Sequence, residues 1–187
     1  MGEAFASVLA AARLGEAWAF ERIYGDLAAS ILGYLRAQGA SEPEDLAQEV
    51  FVGLVRNLAR FDGDEAAFRS WVFTIAHRRL TDDRRRRGRS KEDVGGEAFE
   101  PTGPTPAAMV SADAADEALA NLGSERALEL LEKLTGDQRE VVVLRILADL
   151  SGAQVAEIVG KNEGAVKTLQ RRALVRLAKE LEREGVS

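Results

Sequence analysis

At 187 residues, with 46% hydrophobic and 30% charged side chains, the chain has the composition of a folded protein of one large or two small domains. Its lack of cysteine and single histidine exclude disulfides and thiolate metal centres and leave no pattern for a catalytic site, metal or cofactor. No stretch approaches the roughly 18 apolar residues of a membrane span and Met1 to Arg13 lacks the basic-then-apolar order of an export signal, so a cytoplasmic address with no membrane segment is expected.

Apolar residues recur at intervals of three and four rather than two, so helices are expected throughout and strands nowhere. Phe20, Ile23, Tyr24, Leu27, Ile31 and Tyr34 make one such stripe, ending near Gly39. Ser41-Glu42-Pro43-Glu44 reads as a capping box with proline in the first turn, opening a helix with Leu46, Val50, Leu54 and Leu58 that stops near Phe61-Asp62-Gly63. A third run from about Glu65 sets Phe68, Trp71, Val72, Ile75, Ala76 and Leu80 on one side. It then enters a basic block, Arg78, Arg79, Arg84, Arg85, Arg86, Arg87, Arg89 and Lys91, opposed only by Asp82 and Asp83. Residues 1–87 are expected to form one helical domain.

Over residues 88–123 the periodicity lapses and three of the four prolines appear, Pro101, Pro104 and Pro106. This segment reads as a flexible acidic linker, with a short helix from Ala112 to Leu122 at its end. The net charge of −6 sits here: residues 88–123 carry 2 basic and 7 acidic side chains, against 12 and 13 in residues 1–87 and 11 and 11 in residues 124–187. Screening over about 8 Å makes these local balances matter more than the total.

In residues 124–187, the second domain, Ser124 is expected to cap a helix through Leu134. Thr135-Gly136-Asp137-Gln138 is a capping box opening a helix through Ala148. The run Val141-Val142-Val143-Leu144 has the look of a strand, but its flanks favour helix. Ser151-Gly152-Ala153-Gln154 is a further capping box, for a two-turn helix ending at Gly160, and Asn162 is placed to cap a longer one from Glu163 to about Glu182. Short helix, glycine turn and capped longer helix make a helix-turn-helix pattern. In the longer helix Val166, Leu169, Ala173, Leu177 and Leu181 form an apolar stripe. Lys167, Gln170 and Arg171 project opposite it, flanked by Thr168 and Arg172.

Charge on a helix face is most often solvated surface, and cations favour a helix C-terminus in any protein. Two basic faces on either side of an acidic segment point instead to nucleic acid. His77, Trp18 and Trp71 read as packing or surface residues, because no nucleophile or ligand pattern accompanies them.

Two sets of blocks carry a family resemblance. Asp45-Leu46-Ala47-Gln48-Glu49-Val50-Phe51, then Phe68 to Ala76 running into Arg79-Leu80-Thr81-Asp82 and the arginines, resembles region 2 of extracytoplasmic-function (ECF) sigma factors. Leu134 through Gln138-Arg139-Glu140, Leu144-Arg145, Leu150-Ser151, Val155 to Gly160 and Gly164 to Lys167 is similar to region 4 of that family. Two positions depart from the family pattern: His77-Arg78 stands where many relatives have Arg-Asn, and Thr168-Leu169-Gln170 where Ser-Arg-Leu is common.

The resemblance implies an all-α, non-enzymatic factor that binds core RNA polymerase and directs promoter-specific initiation. It places Asp45, Gln48 and Glu49 against polymerase. It places Asp62 and Asp64 in the loop, with Arg78, Arg79, Arg84, Arg85 and Arg86 beyond, at the melted minus-10 element. Lys167, Thr168, Arg171 and Arg172 fall on the duplex minus-35 element, with Lys161 supporting through phosphate. An anti-sigma factor is a further partner the family allows. The alternatives from the residues alone are a dimeric helix-turn-helix regulator that binds duplex DNA without polymerase, and a helical adaptor without DNA affinity.

Overall fold

The computed structural model describes residues 2–90 and 125–183; the expected linker beyond Ser90, its Ala112 to Leu122 helix and the Ser124 cap lie outside the described residues. Among the described residues there are eight α-helices, two 3-10 turns and no strand. The helices are α1 (Phe5–Arg13), α2 (Ala17–Ala37), α3 (Pro43–Asn57), α4 (Glu65–Ser90), α5 (Glu125–Glu132), α6 (Gly136–Ile146), α7 (Gly152–Val159) and α8 (Glu163–Arg183).

The short α1 has no counterpart among the sequence expectations. It buries Phe5, Val8, Leu9 and Ala12, one turn-spaced face of an alanine-rich helix. An aromatic cluster then ties it to α4, with the Phe5 and Phe68 rings 5.5 Å apart and Phe61 5.1 Å from both Phe68 and Trp71. Behind it, α2 buries Ile23, Leu27, Ile31 and Tyr34 of the expected stripe, and Tyr24 packs against Phe51 of α3 at 4.7 Å.

One expected cap does not form. The N-cap of α3 is Glu42, which makes no side-chain capping bond, and Pro43 opens the helix with its fixed φ. The Ser41 hydroxyl donates instead to Asp83 Oδ1 on α4, at 3.1 Å. Across the chain, Asp64 caps α4 by accepting from the Ala67 N–H at 2.8 Å. That helix runs on through Gly88 to Ser90, so the arginine block is helical and the segment expected as linker begins with three helical residues.

The capping boxes at Thr135–Gln138 and Ser151–Gln154 both form. Val141, Val142, Val143 and Leu144 are all buried, pointing in four directions around α6. A helix covered on every side needs no polar face, and α6 is packed by α8, α7 and α2; that is why its sequence imitates a strand. The helices α5 and α6 each stop two residues before their expected ends, at Glu132 and Ile146. Gly160 closes α7 in the left-handed region at φ 65°, Lys161 N–H returns to the Ala156 carbonyl at 2.9 Å, and Asn162 Oδ1 accepts from Ala165 N–H at 2.8 Å. Val166 and Ala173 are buried beneath α8, with Leu169, Leu177 and Leu181 half-buried beside them.

The two helical units touch. One apolar core includes Tyr34, Phe73 and Ala76 of the first and Val141, Val143 and Leu144 of the second.

Two glycines separate backbone strain from space. An added Cβ meets nothing within 4 Å at Gly25, inside α2, or at Gly160, but only Gly160 has a positive φ. Gly25→Ala should therefore stabilise the fold by about 0.5–1 kcal/mol, and Gly160→Ala should cost about 1–2 kcal/mol. Urea denaturation of the two variants measures both signs; equal effects would show that φ is not what sets glycine at position 160.

Candidate nucleic-acid and protein interfaces

On α3, Leu46, Val50 and Leu54 face the core, which leaves Asp45 and Gln48 exposed on the far side. Glu49 is half-buried and its carboxylate lies 3.5 Å from Arg79 Nη1, so α3 is tied electrostatically to α4 at that point. The acidic face is therefore Asp45 and Gln48, with Glu49 at its edge.

The loop before α4 presents Asp62 and Asp64, both exposed. Phe61 seats itself in the core just ahead of them, and a Cβ at Gly63 would sit 3.0 Å from Ala67 Cβ and 3.2 Å from the Phe61 ring. The turn admits no side chain between the two aspartates. The Asp64 carboxylate is the α4 cap, so its orientation is fixed by the helix it starts.

The basic block divides into engaged and unengaged cations. Arg84 donates to the Gln38 carbonyl at 2.7 Å and to Gln38 Oε1 at 3.1 Å, closing the C-terminus of α2. Arg87 reaches the Gly39 carbonyl at 3.2 Å and Asp83 at 3.0 Å. Arg85 lies 3.6 Å from Asp82 one turn away, both exposed. Arg78 and Arg86 are exposed and have no hydrogen-bond or ion-pair partner among the described residues. The arginine run alone did not disclose this division, because the acceptors at the end of α2 lie 46 and 48 residues earlier.

In the second unit Lys167, Arg171 and Arg172 are exposed on α8, without acidic partners among the described residues. Thr168 is half-buried and its hydroxyl donates back to the Gly164 carbonyl at 2.8 Å, and Lys161 pairs with Asp137 at 3.0 Å. A shallow cleft beside Lys167 is lined by Arg145, Glu163 and Gln170. Arg176 and Lys179, further along α8 and outside the five positions expected at the minus-35 element, are also exposed.

The histidine has a structural place. His77 Nδ1 lies 2.7 Å from Glu140 Oε1, and the Tyr34 hydroxyl donates to the same oxygen at 3.0 Å. Burial pushes the Glu140 carboxyl up, but its bond and charge interaction with His77, the Tyr34 bond and the Arg84 charge outweigh it and hold it below the ordinary glutamate value. Burial, with the Glu140 charge and hydrogen bond, pushes the Tyr34 phenol well above its usual value. The ionised carboxylate thus accepts from a phenol that keeps its proton. Among the described residues no group of acidic and histidine side chains is arranged to hold a metal.

A capped helix-turn-helix whose cationic face is unpaired among the described residues, joined to a helical unit with an acidic face and a second cationic helix, has the form of a DNA-binding protein. Residues 20–90 match Sigma-70 region 2 and residues 124–177 match Sigma-70, region 4. The ECF RNA polymerase sigma factor SigD of Mycobacterium tuberculosis is 32% identical over 192 residues, covering 98% of this chain and 87% of SigD. BldN of Streptomyces coelicolor, another ECF sigma factor, is 36% identical over 171 residues, covering 90% of this chain; that match spans 62% of BldN's own length. The fold is shared with CnrH, solved in complex with the cytosolic domain of CnrY, at TM-score 0.63 and 23% identity over 96% of this chain and 98% of CnrH. RpoE, solved with the anti-sigma factor NepR from Bartonella quintana, matches at TM-score 0.58 and 26% identity over 81% of this chain and 89% of RpoE. The chain belongs to the ECF RNA polymerase sigma factor family.

The engaged and unengaged arginines should behave differently. Arg84→Ala removes charge-assisted bonds that close α2 and should lower stability by about 1–2 kcal/mol. Arg86→Ala should leave stability within about 0.5 kcal/mol and lower the salt dependence of promoter binding by about one unit of slope, as loss of one phosphate contact does. Thermal unfolding together with a salt titration of the polymerase–promoter complex distinguishes them, and identical behaviour of the two variants would dissolve the division.

Proposed function

We propose that this chain is an initiation factor working in the cytoplasm. It docks on core RNA polymerase through Asp45, Gln48 and the edge residue Glu49, and bridges a duplex minus-35 element and a melted minus-10 element. The observation that carries the reading is the α8 face. Lys167, Arg171 and Arg172 stand opposite a stripe anchored by Val166 and Ala173, so one side of the helix packs while the other offers to a groove cations that are unpaired among the described residues.

In this reading Lys167 and Arg171 reach base edges in the major groove and Arg172 meets phosphate. Thr168, whose hydroxyl is taken by Gly164, contacts DNA through its methyl group. Lys161 supports through phosphate after exchanging Asp137 for DNA. At the other element Asp62 and Asp64 border the place where a base leaves the stack, and Arg78, Arg79, Arg85 and Arg86 follow the displaced backbone. Arg79 and Arg85 leave acidic partners to do so, whereas Arg84 holds α4 in place. The work is recruitment and strand capture, and no step makes or breaks a covalent bond within this chain. An anti-sigma factor, the kind of partner NepR is for RpoE, completes the set.

Run-off transcription by core polymerase on a promoter library tests the whole reading. The parent should direct initiation from a subset of promoters. Asp45→Lys with Gln48→Lys should weaken polymerase binding about tenfold or more with the fold intact. Lys167→Ala and Arg171→Ala should each cost about 1–3 kcal/mol of promoter discrimination, lost when the minus-35 element is scrambled. Nanomolar, sequence-specific duplex binding by the free chain at physiological salt, with no stimulation of polymerase, would establish the stand-alone regulator in its place.

A further inference from the structure

We infer that the C-terminal half of α8 is a second DNA contact, a cationic ridge of Arg172, Arg176, Lys179 and Arg183 that holds the phosphate backbone of the duplex beside the minus-35 element whatever its sequence. The inference rests on the assignment of α8 to that element.

At about 100° per residue these four side chains fall within about 60° of one another, one turn above the next. All four are exposed. The buried Val166 and Ala173 point about 100° to one side of the ridge, Lys167 lies on the opposite flank of the helix, and Arg171 stands between Lys167 and the ridge. A helix seated in a groove with its core side outward therefore turns Arg171 to the floor, Lys167 to one wall and the ridge to the other.

Two ordinary reasons for cations on a helix do not account for the ridge. A solvated surface helix intersperses acids so that charges pair at three and four residues, but residues 164–179 hold Lys167, Arg171, Arg172, Arg176 and Lys179 and no Asp or Glu. Arg172 with Arg176, and Arg176 with Lys179, set like charges on adjacent turns, a spacing that destabilises a helix left to itself. The helix dipole favours cations only in the last turn, and Arg176 stands about two turns before the helix ends at Arg183. Arg172, Arg176 and Lys179 have no hydrogen-bond or ion-pair partner among the described residues, while Arg183, at the outer end, pairs with Glu180 at 3.3 Å.

Length points to the occupant. The 21 residues of α8 extend about 31 Å at 1.5 Å per residue, whereas the major groove is about 12 Å wide. The turns beyond Arg172 therefore leave the groove and cross the strand that bounds it. From Arg172 to Arg183 the ridge runs about 16 Å, long enough to follow that backbone past the bases assigned to Lys167 and Arg171. Every sequence presents phosphates there, so this contact raises affinity without choosing a promoter.

The test variant is Arg176→Gln with Lys179→Gln, both at exposed positions and both replaced by a good helix former, so helical circular dichroism and Tm should be unchanged. Binding is measured with the chain on core polymerase, to promoter duplexes with an intact and with a scrambled minus-35 element. Affinity should fall about tenfold on both, with the ratio between them preserved and the slope of log affinity against log salt reduced by about two. Phosphate ethylation outside the minus-35 element should interfere with binding of the parent and no longer with binding of the variant. Arg176→Lys with Lys179→Arg, which keeps both charges, should retain the parental slope.

Unaltered affinity of the glutamine variant overturns the proposal, and so does equal loss in the charge-conserving one. A loss confined to the intact minus-35 element would make the pair base readers instead, and weaker binding to core polymerase without DNA would make the ridge's partner a protein; either result overturns it. Run-off transcription by the parent keeps the two readings apart: a silent parent sinks the initiation-factor assignment and the ridge with it, whereas an active parent matched by the glutamine variant at every salt concentration sinks the ridge alone.

Discussion

Glu140 holds a carboxylate where only 12% of its side chain meets water, and the arrangement of the two helical units turns on how that charge is satisfied. Withdrawing a carboxylate from water costs several kcal/mol unless donors replace the lost hydration. Tyr34 and His77 are those donors, and they come from α2 and α4, the helices that also carry the core of the first unit. The buried charge therefore does more than add a bond. Register is demanded of three helices at once, because a small slide of α6 would leave the carboxylate, the phenol or the imidazole without its partner. Apolar contact alone, through Phe73, Val141 and Leu144, would tolerate such a slide.

A similar economy governs the cations. Helix C-termini leave carbonyls without intrahelical donors, and the end of α2 at Gln38 and Gly39 is closed by Arg84 and Arg87 from α4. Those bonds, with Ser41 on Asp83, fix the basic half of α4 against the start of α3. The acidic face of α3 and the basic half of α4 are thus held together as one piece. Arg78 and Arg86, left unpaired among the described residues, are then held at defined positions by neighbours that are themselves engaged.

Much of this was legible in the sequence where local chemistry decides the outcome. Thr135–Gln138, Ser151–Gln154, Gly160 and Asn162 specify their turns through atoms within a few residues, and the second unit was accordingly readable almost element by element. The apolar stripe of α8 was readable for the same reason. Misreadings fall where a distant partner intervenes. Ser41 had the right spacing for a cap, but Asp83 competes for its hydroxyl across 42 residues. Arg84 looked like every other arginine in its run, and only the position of Gln38 sets it apart. His77 was read as a packing or surface residue, but its partner at position 140 lies in the other unit, 63 residues away, and no local pattern points to it.

The contact between units combines a shared apolar core with polar groups that set its geometry. Apolar contact strengthens with every buried methylene but is non-directional. Hydrogen bonds exchanged with water contribute little net free energy, about 1 kcal/mol each, yet specify geometry sharply. Glu140, Gln154 and Arg139 thus define how the two units sit beside the apolar core they share.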